Sequence, residues 1–117
     1  MDIDRWRAAY LEGPSALPGG CFVALADGEA VGIAGLTALD ARPGTAEHLL
    51  TGVRRAWRGR GIATALKRAQ IEWARSAGLE RLVTTNDETN VPMRGINARL
   101  GYEPRPGAIV VRGPLAD

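Results

Sequence analysis

The chain is short of most residues that build special chemistry. Its 117 positions hold one cysteine, one lysine, one histidine and one phenylalanine. With Cys21 alone, no intramolecular disulfide can form, and no metal centre is expected. No apolar run approaches the roughly 20 residues needed to span a bilayer, so no membrane partner is expected either. The start, Met1-Asp2-Ile3-Asp4-Arg5-Trp6, is acidic and lacks the apolar stretch of a secretory signal. A cytoplasmic location is the expectation. Internal repeats, low-complexity tracts and linker-like stretches are absent, so residues 1–117 read as one domain with little room for a second lobe.

What is present is arginine. Net charge is only +2, but every basic side chain except Lys67 is an arginine. The planar guanidinium makes paired hydrogen bonds to phosphate. Arg54, Arg55, Arg58 and Arg60 cluster within seven positions, which marks a candidate anion site. The net charge by itself predicts no nucleic-acid partner. Trp6, Trp57 and Trp73 do not make a stacking platform, because only Trp57 falls in the basic stretch.

Patterning predicts an order of elements. Ile3, Trp6 and Tyr10 recur at helical spacing over Ile3–Leu11. Cys21–Ala26 and Ala30–Leu36 read as strands joined by Asp27-Gly28, a two-residue hairpin signal. Glu47–Val53 reads as a third strand, with Glu47, Leu49, Thr51 and Val53 on one face and His48 on the other. A helix is predicted from about Gly61 to Ala77, with Ile62, Leu66, Ala69 and Trp73 as its core stripe and Lys67 pointing elsewhere. Gly78 suits its left-handed end. Arg81–Thr85 reads as a strand, Pro92–Arg99 as a short helix and Ala108–Arg112 as a last strand. The strand–helix–strand unit implies a locally parallel pair with a right-handed crossover. The expected class is α+β, a mixed, mostly antiparallel sheet flanked by helices.

The chemistry centres on Arg58-Gly59-Arg60-Gly61-Ile62-Ala63, between the third strand and the long helix. Its glycines allow a tight turn and close approach of a ligand. The helix start beyond them offers unpaired N–H groups and the positive end of the dipole, so a phosphate placed there meets donors on several sides. A dinucleotide loop fits poorly: Thr64 occupies the third glycine position, and the acidic residue expected after the next strand is missing. A nucleotide P-loop fails because no Gly-Lys-Ser/Thr occurs. A pyrophosphate loop of the coenzyme A kind, Arg-x-x-Gly-x-Ala running into a helix, fits.

This segment resembles the GNAT (GCN-related N-acetyltransferase) superfamily. Arg58 to Ala63 matches its Gln/Arg-x-x-Gly-x-Gly/Ala pattern. Leu50-Thr51-Gly52-Val53 stands where its preceding strand stands. Asn90-Val91-Pro92-Met93 and Asn97-Ala98-Arg99-Leu100-Gly101-Tyr102 resemble its second cofactor segment. The resemblance runs roughly from Cys21 onward and implies the acyl-CoA N-acyltransferase fold. It also implies acetyl transfer from acetyl-CoA to an amine. On that resemblance, Val53, Arg54, Arg55, Arg58, Gly59, Arg60, Gly61, Ile62, Ala63, Thr64, Asn90 and Asn97 would contact the cosubstrate. The strand edge near Val53 and Arg55 would pair with its pantetheine arm, and an N–H near Val53 would polarise the thioester.

The resemblance also points to Glu47 as the base that deprotonates the amine, with His48 as the second candidate. Two departures stand out. Asn97 occupies the place of a tyrosine that protonates the leaving thiolate in many members, and an amide is no acid at neutral pH. Tyr102 matches a structural aromatic and is expected in the core. On this reading the elements that usually precede the first helix are absent or shortened, which would leave a sheet edge for a second subunit, hence a homodimer. Two other readings compete: a degenerate member that binds acyl-CoA without turnover, and a basic nucleic-acid-binding domain.

Overall fold

The structure, a computed structural model, describes residues 15–85, 91–105, 109–113 and 115. The helix expected at 3–11 and the loop at 86–90, with Asn90, lie outside them. Six strands form one mixed sheet: β1 (Phe22–Ala26), β2 (Glu29–Ala38), β3 (Thr45–Val53), β4 (Arg81–Thr85), β5 (Glu103–Arg105) and β6 (Ile109–Arg112). Their spatial order is β1-β2-β3-β4-β6-β5. Among the described strands only β3 and β4 pair in parallel, and the helix α1 (Ile62–Ser76) connects them. A second helix, α2 (Val91–Arg99), follows β4. β5 is a short edge strand that the sequence pattern did not signal. No described helix is long and apolar enough to cross a membrane.

Local chemistry sets the joints. Asp27 and Gly28 take positive φ of 52° and 80°, the twist a two-residue hairpin needs. Both helices close on a left-handed glycine. Leu79 N–H reaches back to Ala74 O past Gly78, and Tyr102 N–H reaches back to Asn97 O past Gly101. These long return bonds satisfy carbonyls that the helix ends would otherwise leave bare.

The core lies between the sheet and α1. Leu36, Ala46, Ile71, Ala74, Leu82, Tyr102 and Leu115 pack there as one buried cluster. At Gly32 the helix comes close enough that a Cβ would stand 3.0 Å from Ile62 Cγ2. The buried stripe of α1 is Leu66, Lys67, Gln70, Ile71 and Ala74. It is rotated from the expected one: Ile62, Ala69 and Trp73 are only half-buried. Lys67, expected to point elsewhere, is 1% exposed. The helix must turn this face to the sheet because Leu66, Ile71 and Ala74 lie on it, and Lys67 and Gln70 fall between them.

A β-bulge in β3 changes a second expectation. Its pairing with β2 shifts register at Gly35/Leu36, so Leu36 faces His48 while Gly35 faces Leu50, leaving Leu49 extra. A bulged residue reverses the alternation beyond it. Gly32 and Ala34 pair with Val53 and Thr51, and Gly32 faces α1. Thr51 and Val53 therefore share the α1 face with His48, not the opposite face with Glu47.

Candidate active site

The bulge marks the place where the sheet opens. β3 pairs with β4 only through Thr45↔Arg81, Ala46↔Leu82 and Glu47↔Val83. Beyond Glu47 the β4 side of β3 has no strand partner among the described residues, while its other side stays paired to β2 as far as Val53. The bend at Leu49 carries β3 away from β4, so main-chain groups face a gap.

The gap leads to a cleft of about 640 Å³. Its walls come from three elements: Thr51, Gly52 and Val53 on β3; the loop and first turn of α1; and Pro92, Met93, Ile96 and Arg99 on α2. Gly52, Gly59 and Gly61 are bare here, since a Cβ on any of them would meet nothing within 4 Å. Gly59 and Gly61 have φ of 77° and 81°, a conformation that costs a residue with Cβ about 1–2 kcal/mol.

The start of α1 is uncapped. Gly61 is the N-cap of α1 and supplies no side-chain cap, and the first turn contains no acidic residue. The first helical bond runs from Ala65 N–H to Gly61 O, 3.0 Å. The N–H groups of Ile62, Ala63 and Thr64 therefore have no acceptor within the helix, and all three residues line the cleft. Arg58 Nε–H donates to Val53 O at 3.0 Å, which pins the loop to the end of β3. Arg60 lays its guanidinium over the Trp57 ring, 4.7 Å from the centroid, and Trp57 lines the cleft.

The expected site residues divide accordingly. Val53, Arg58, Gly59, Gly61, Ile62, Ala63 and Thr64 come together around the cleft. Arg54, Arg55 and Arg60 are exposed and stand outside its lining, and Arg54 reaches towards Glu29 at 4.0 Å. Asn97 is buried at 1% exposure on α2 and does not line the cleft. Glu47 is half-buried at the last β3–β4 pair, on the sheet face opposite His48. Sequence reasoning assigned no role to Thr51, Gly52, Trp57 or Ile96, and quoted Pro92, Met93 and Arg99 of the α2 wall only within the segments that resemble the second cofactor segment. The half-apolar pattern Pro92-Met93-x-x-Ile96 was the available signal for that wall.

A buried polar cluster joins β3, α1 and Tyr102. His48 Nε2 and Tyr102 Oη are 2.6 Å apart. Lys67 Nζ sits 5.3 Å from the centre of the Tyr102 ring. Gln70 donates through Nε2 to Gly20 O at 2.9 Å. Gln70 Oε1 and His48 Nδ1 are buried, and neither makes a well-formed hydrogen bond among the described residues. Burial lowers the His48 pKa to about 3, and the Lys67 charge adds to the effect while Gln70 opposes it. His48 is thus neutral, and the tautomer of its ring sets the direction of the hydrogen bond it shares with the tyrosine hydroxyl. The same burial holds the Tyr102 hydroxyl well above its ordinary range and lowers Lys67 to about 8.

The architecture has known counterparts. It is similar to the ribosomal-protein-S18-alanine N-acetyltransferase of Escherichia coli, with 14% identity and a TM-score of 0.77 over 97% of this chain and 77% of that one. It is also similar to an IAA acetyltransferase from Bacillus cereus, with 25% identity and a TM-score of 0.68 over 73% of this chain. The chain spans about half of that protein, 55% of its length. A PaiA N-acetyltransferase from Thermoplasma acidophilum, solved in complex with coenzyme A, matches with 16% identity and a TM-score of 0.70, over 80% of this chain and 59% of that one. Among curated proteins, no sequence relative matches the chain. The acetyltransferase (GNAT) family matches residues 2–102. With a family match over most of its length and the acyl-CoA N-acyltransferase fold around an opened sheet, the chain belongs to the GNAT acetyltransferase family.

Proposed function

We propose that the protein transfers an acetyl group from acetyl-CoA to the amine of a small molecule or peptide, by direct attack of the amine on the thioester. The observation that carries this reading is the edge of β3 beyond Glu47, unpaired among the described residues and leading out to the uncapped start of α1. Pantetheine presents amide groups, which an unpaired strand edge can satisfy. Pyrophosphate needs donors at its own end, and the N–H groups of Ile62, Ala63 and Thr64 supply them. A thioester is the activated acyl donor in such a reaction. Gly52, Gly59 and Gly61 leave room for all of this, because no side chain fills the floor of the cleft there.

Each residue then has a task. Arg58, held by Val53 O, keeps the loop in register with the strand and adds positive charge beside the pyrophosphate. Arg54, Arg55 and Arg60 act at longer range, as exposed charges around the mouth. A backbone N–H near Val53 polarises the thioester carbonyl. Asn90, which lies outside the described residues, is a further contact to the cosubstrate in this reading. Glu47, at the apex of the opening, takes the amine proton directly or through water. His48 is not the base, since burial lowers it to about 3, too weak to take the amine proton, and its Nε2 is engaged with Tyr102.

The alternative is an acyl-CoA binder without turnover, favoured by Asn97, which replaces a tyrosine acid and lies outside the cleft. One experiment separates the readings. Coenzyme A should raise the melting temperature, and acetyl-CoA with a panel of amines should release free thiol. Stabilisation by coenzyme A without thiol release by any amine favours the binder, and no stabilisation removes both readings. Glu47→Gln should lower turnover and leave the coenzyme A-induced shift in place. The working location is the cytoplasm. A second copy at the β1 edge, where Val23 and Leu25 are exposed, belongs to the proposal too, and a monomer by light scattering removes it.

A further inference from the structure

Trp57 is the large aromatic side chain that the core leaves over. Trp73 packs against the buried cluster, and Gly19 and Gly20 lie so close to its ring that a Cβ on either would clash. Trp57 is not among the side chains packed against that cluster. It ends the short 3₁₀ turn Arg55–Trp57, which contains no buried residue. It is half-buried and lines the cleft. A tryptophan covers roughly 150–250 Å² of surface when it is buried, so an indole held outside the core at the wall of a cleft has apolar surface left for a ligand to cover.

The ring is held in place from two sides. Arg60 covers one face, with its guanidinium 4.7 Å from the ring centroid, a cation–π contact. The turn that carries the ring is fixed to the end of β3: Trp57 N–H donates to Arg54 O at 2.8 Å, and Arg58 Nε–H donates to Val53 O at 3.0 Å. An indole with one face under a guanidinium has one face to offer. Arg58, Gly59 and Gly61, which follow Trp57 closely, line the same cleft, and so does the first turn of α1. Gly59 adds no bulk between them, since a Cβ there would meet nothing within 4 Å. Trp57 therefore stands on the cleft wall beside the start of α1, outward of the last residue of β3.

Coenzyme A is asymmetric, and its order of parts fixes what reaches that wall. The pantetheine arm lies on one side of the pyrophosphate, and the ribose and adenine lie on the other. With the pyrophosphate at the N–H groups of Ile62, Ala63 and Thr64, and the arm running inward along β3 towards Glu47, the nucleoside leaves on the outer side. There β3 has ended and the turn Arg55–Trp57 begins. Adenine is flat, uncharged at neutral pH and presents a π-face, the feature by which aromatic side chains hold bases.

We propose that Trp57 is the adenine-stacking residue of the cleft, with Arg60 bracing the far face of the indole. This rests on the acyl-CoA reading above. The stack makes the nucleotide half of the cosubstrate a binding determinant of its own, separate from the strand edge that pairs with the arm. It also gives the lone tryptophan of the basic loop a single nucleotide to bind, where a nucleic-acid strand would need several such rings.

Calorimetry with three ligands tests this: coenzyme A, its nucleotide fragment adenosine 3′,5′-bisphosphate, and phosphopantetheine, which lacks the nucleoside. Trp57→Ala should weaken coenzyme A and the bisphosphate about tenfold or more, the scale of a lost base–aromatic stack, and leave phosphopantetheine within about twofold. Trp57→Phe keeps a π-face and should restore most of the affinity. The bisphosphate should also quench the tryptophan fluorescence of the wild type, and Trp57→Phe should lose that response. Equal losses for all three ligands in Trp57→Ala would show that the loop and not a stack had been broken, and would overturn the inference. So would wild-type affinity for coenzyme A in that variant, or a wild type that binds coenzyme A while the bisphosphate leaves its fluorescence unchanged. The wild-type quenching decides the matter even if the alanine variant fails to fold. A wild type that binds no coenzyme A at all would instead remove the acyl-CoA reading beneath it.

Discussion

Replacing Lys67 by methionine should make the protein more stable. In the folded state burial lowers the lysine from 10.5 to about 8. Each unit is worth about 1.4 kcal/mol, so below pH 8 the buried ammonium costs the fold about 3 kcal/mol. Its position over the Tyr102 ring returns about 1 kcal/mol. Methionine keeps most of the stem packing and carries no charge, so a net gain of about 2 kcal/mol is expected at neutral pH. With an unfolding entropy of roughly 2.1 cal/mol/K per residue, that is an increase of about 8 °C in melting temperature. The sign with pH follows from proton uptake. Between pH 8 and 10.5 the unfolded chain holds the proton more tightly than the folded one, so wild-type stability rises with pH across that window. The gap between variant and wild type should shrink as pH climbs from 8 towards 10.5. Urea unfolding at pH 7, 8, 9 and 10 measures it. A variant less stable than the wild type at pH 7, or a gap constant with pH, would refute the assignment of Lys67 as a buried, unneutralised charge.

Other consequences concern the same cluster and the loop. His48 titrates near 3 in the fold against 6.5 outside it, so stability should be lost as pH falls from 6.5 towards 3, by roughly 3 kcal/mol at pH 4. His48→Gln should flatten that limb in urea titrations, and Lys67→Met should make it shallower, because losing a repelling charge raises the folded-state value towards 6.5. Tyr102→Phe strips the partner from His48 Nε2 and should cost about 1–3 kcal/mol in chemical denaturation, the price of a buried group left unpaired. Gly61→Ala forces Cβ into a φ of 81° and should cost about 1–2 kcal/mol of stability. The same Cβ points into the open cleft, so coenzyme A affinity by calorimetry should fall tenfold or more, beyond what Gly28→Ala does from the remote hairpin.

The site was legible in the sequence where chemistry is local. Gly59 and Gly61 announce left-handed turns before a helix, Asp27-Gly28 announces a hairpin, and Gly78 and Gly101 announce helix ends. Each needs only a few neighbours to act. The bulge at Leu49 was not legible, because no glycine or proline marks it and a plain alternation runs straight through Glu47 to Val53. Yet it assigns Thr51 and Val53 to the α1 face and starts the gap between β3 and β4. The face of α1 was misread for a related reason. Counting apolar residues favours Ile62 and Trp73, while the sheet beneath accepts the face that carries Lys67 and Gln70. Periodicity ranks residues by polarity and has no means of finding a polar side chain that the fold has drawn inward. The two misreadings belong together. The bulge brings His48, Thr51 and Val53 to one face of β3, and the rotation of α1 points Lys67 at that same face. The part of the site hardest to read is therefore the part where two tertiary adjustments meet, and Lys67→Met is the substitution that measures what their meeting costs in stability.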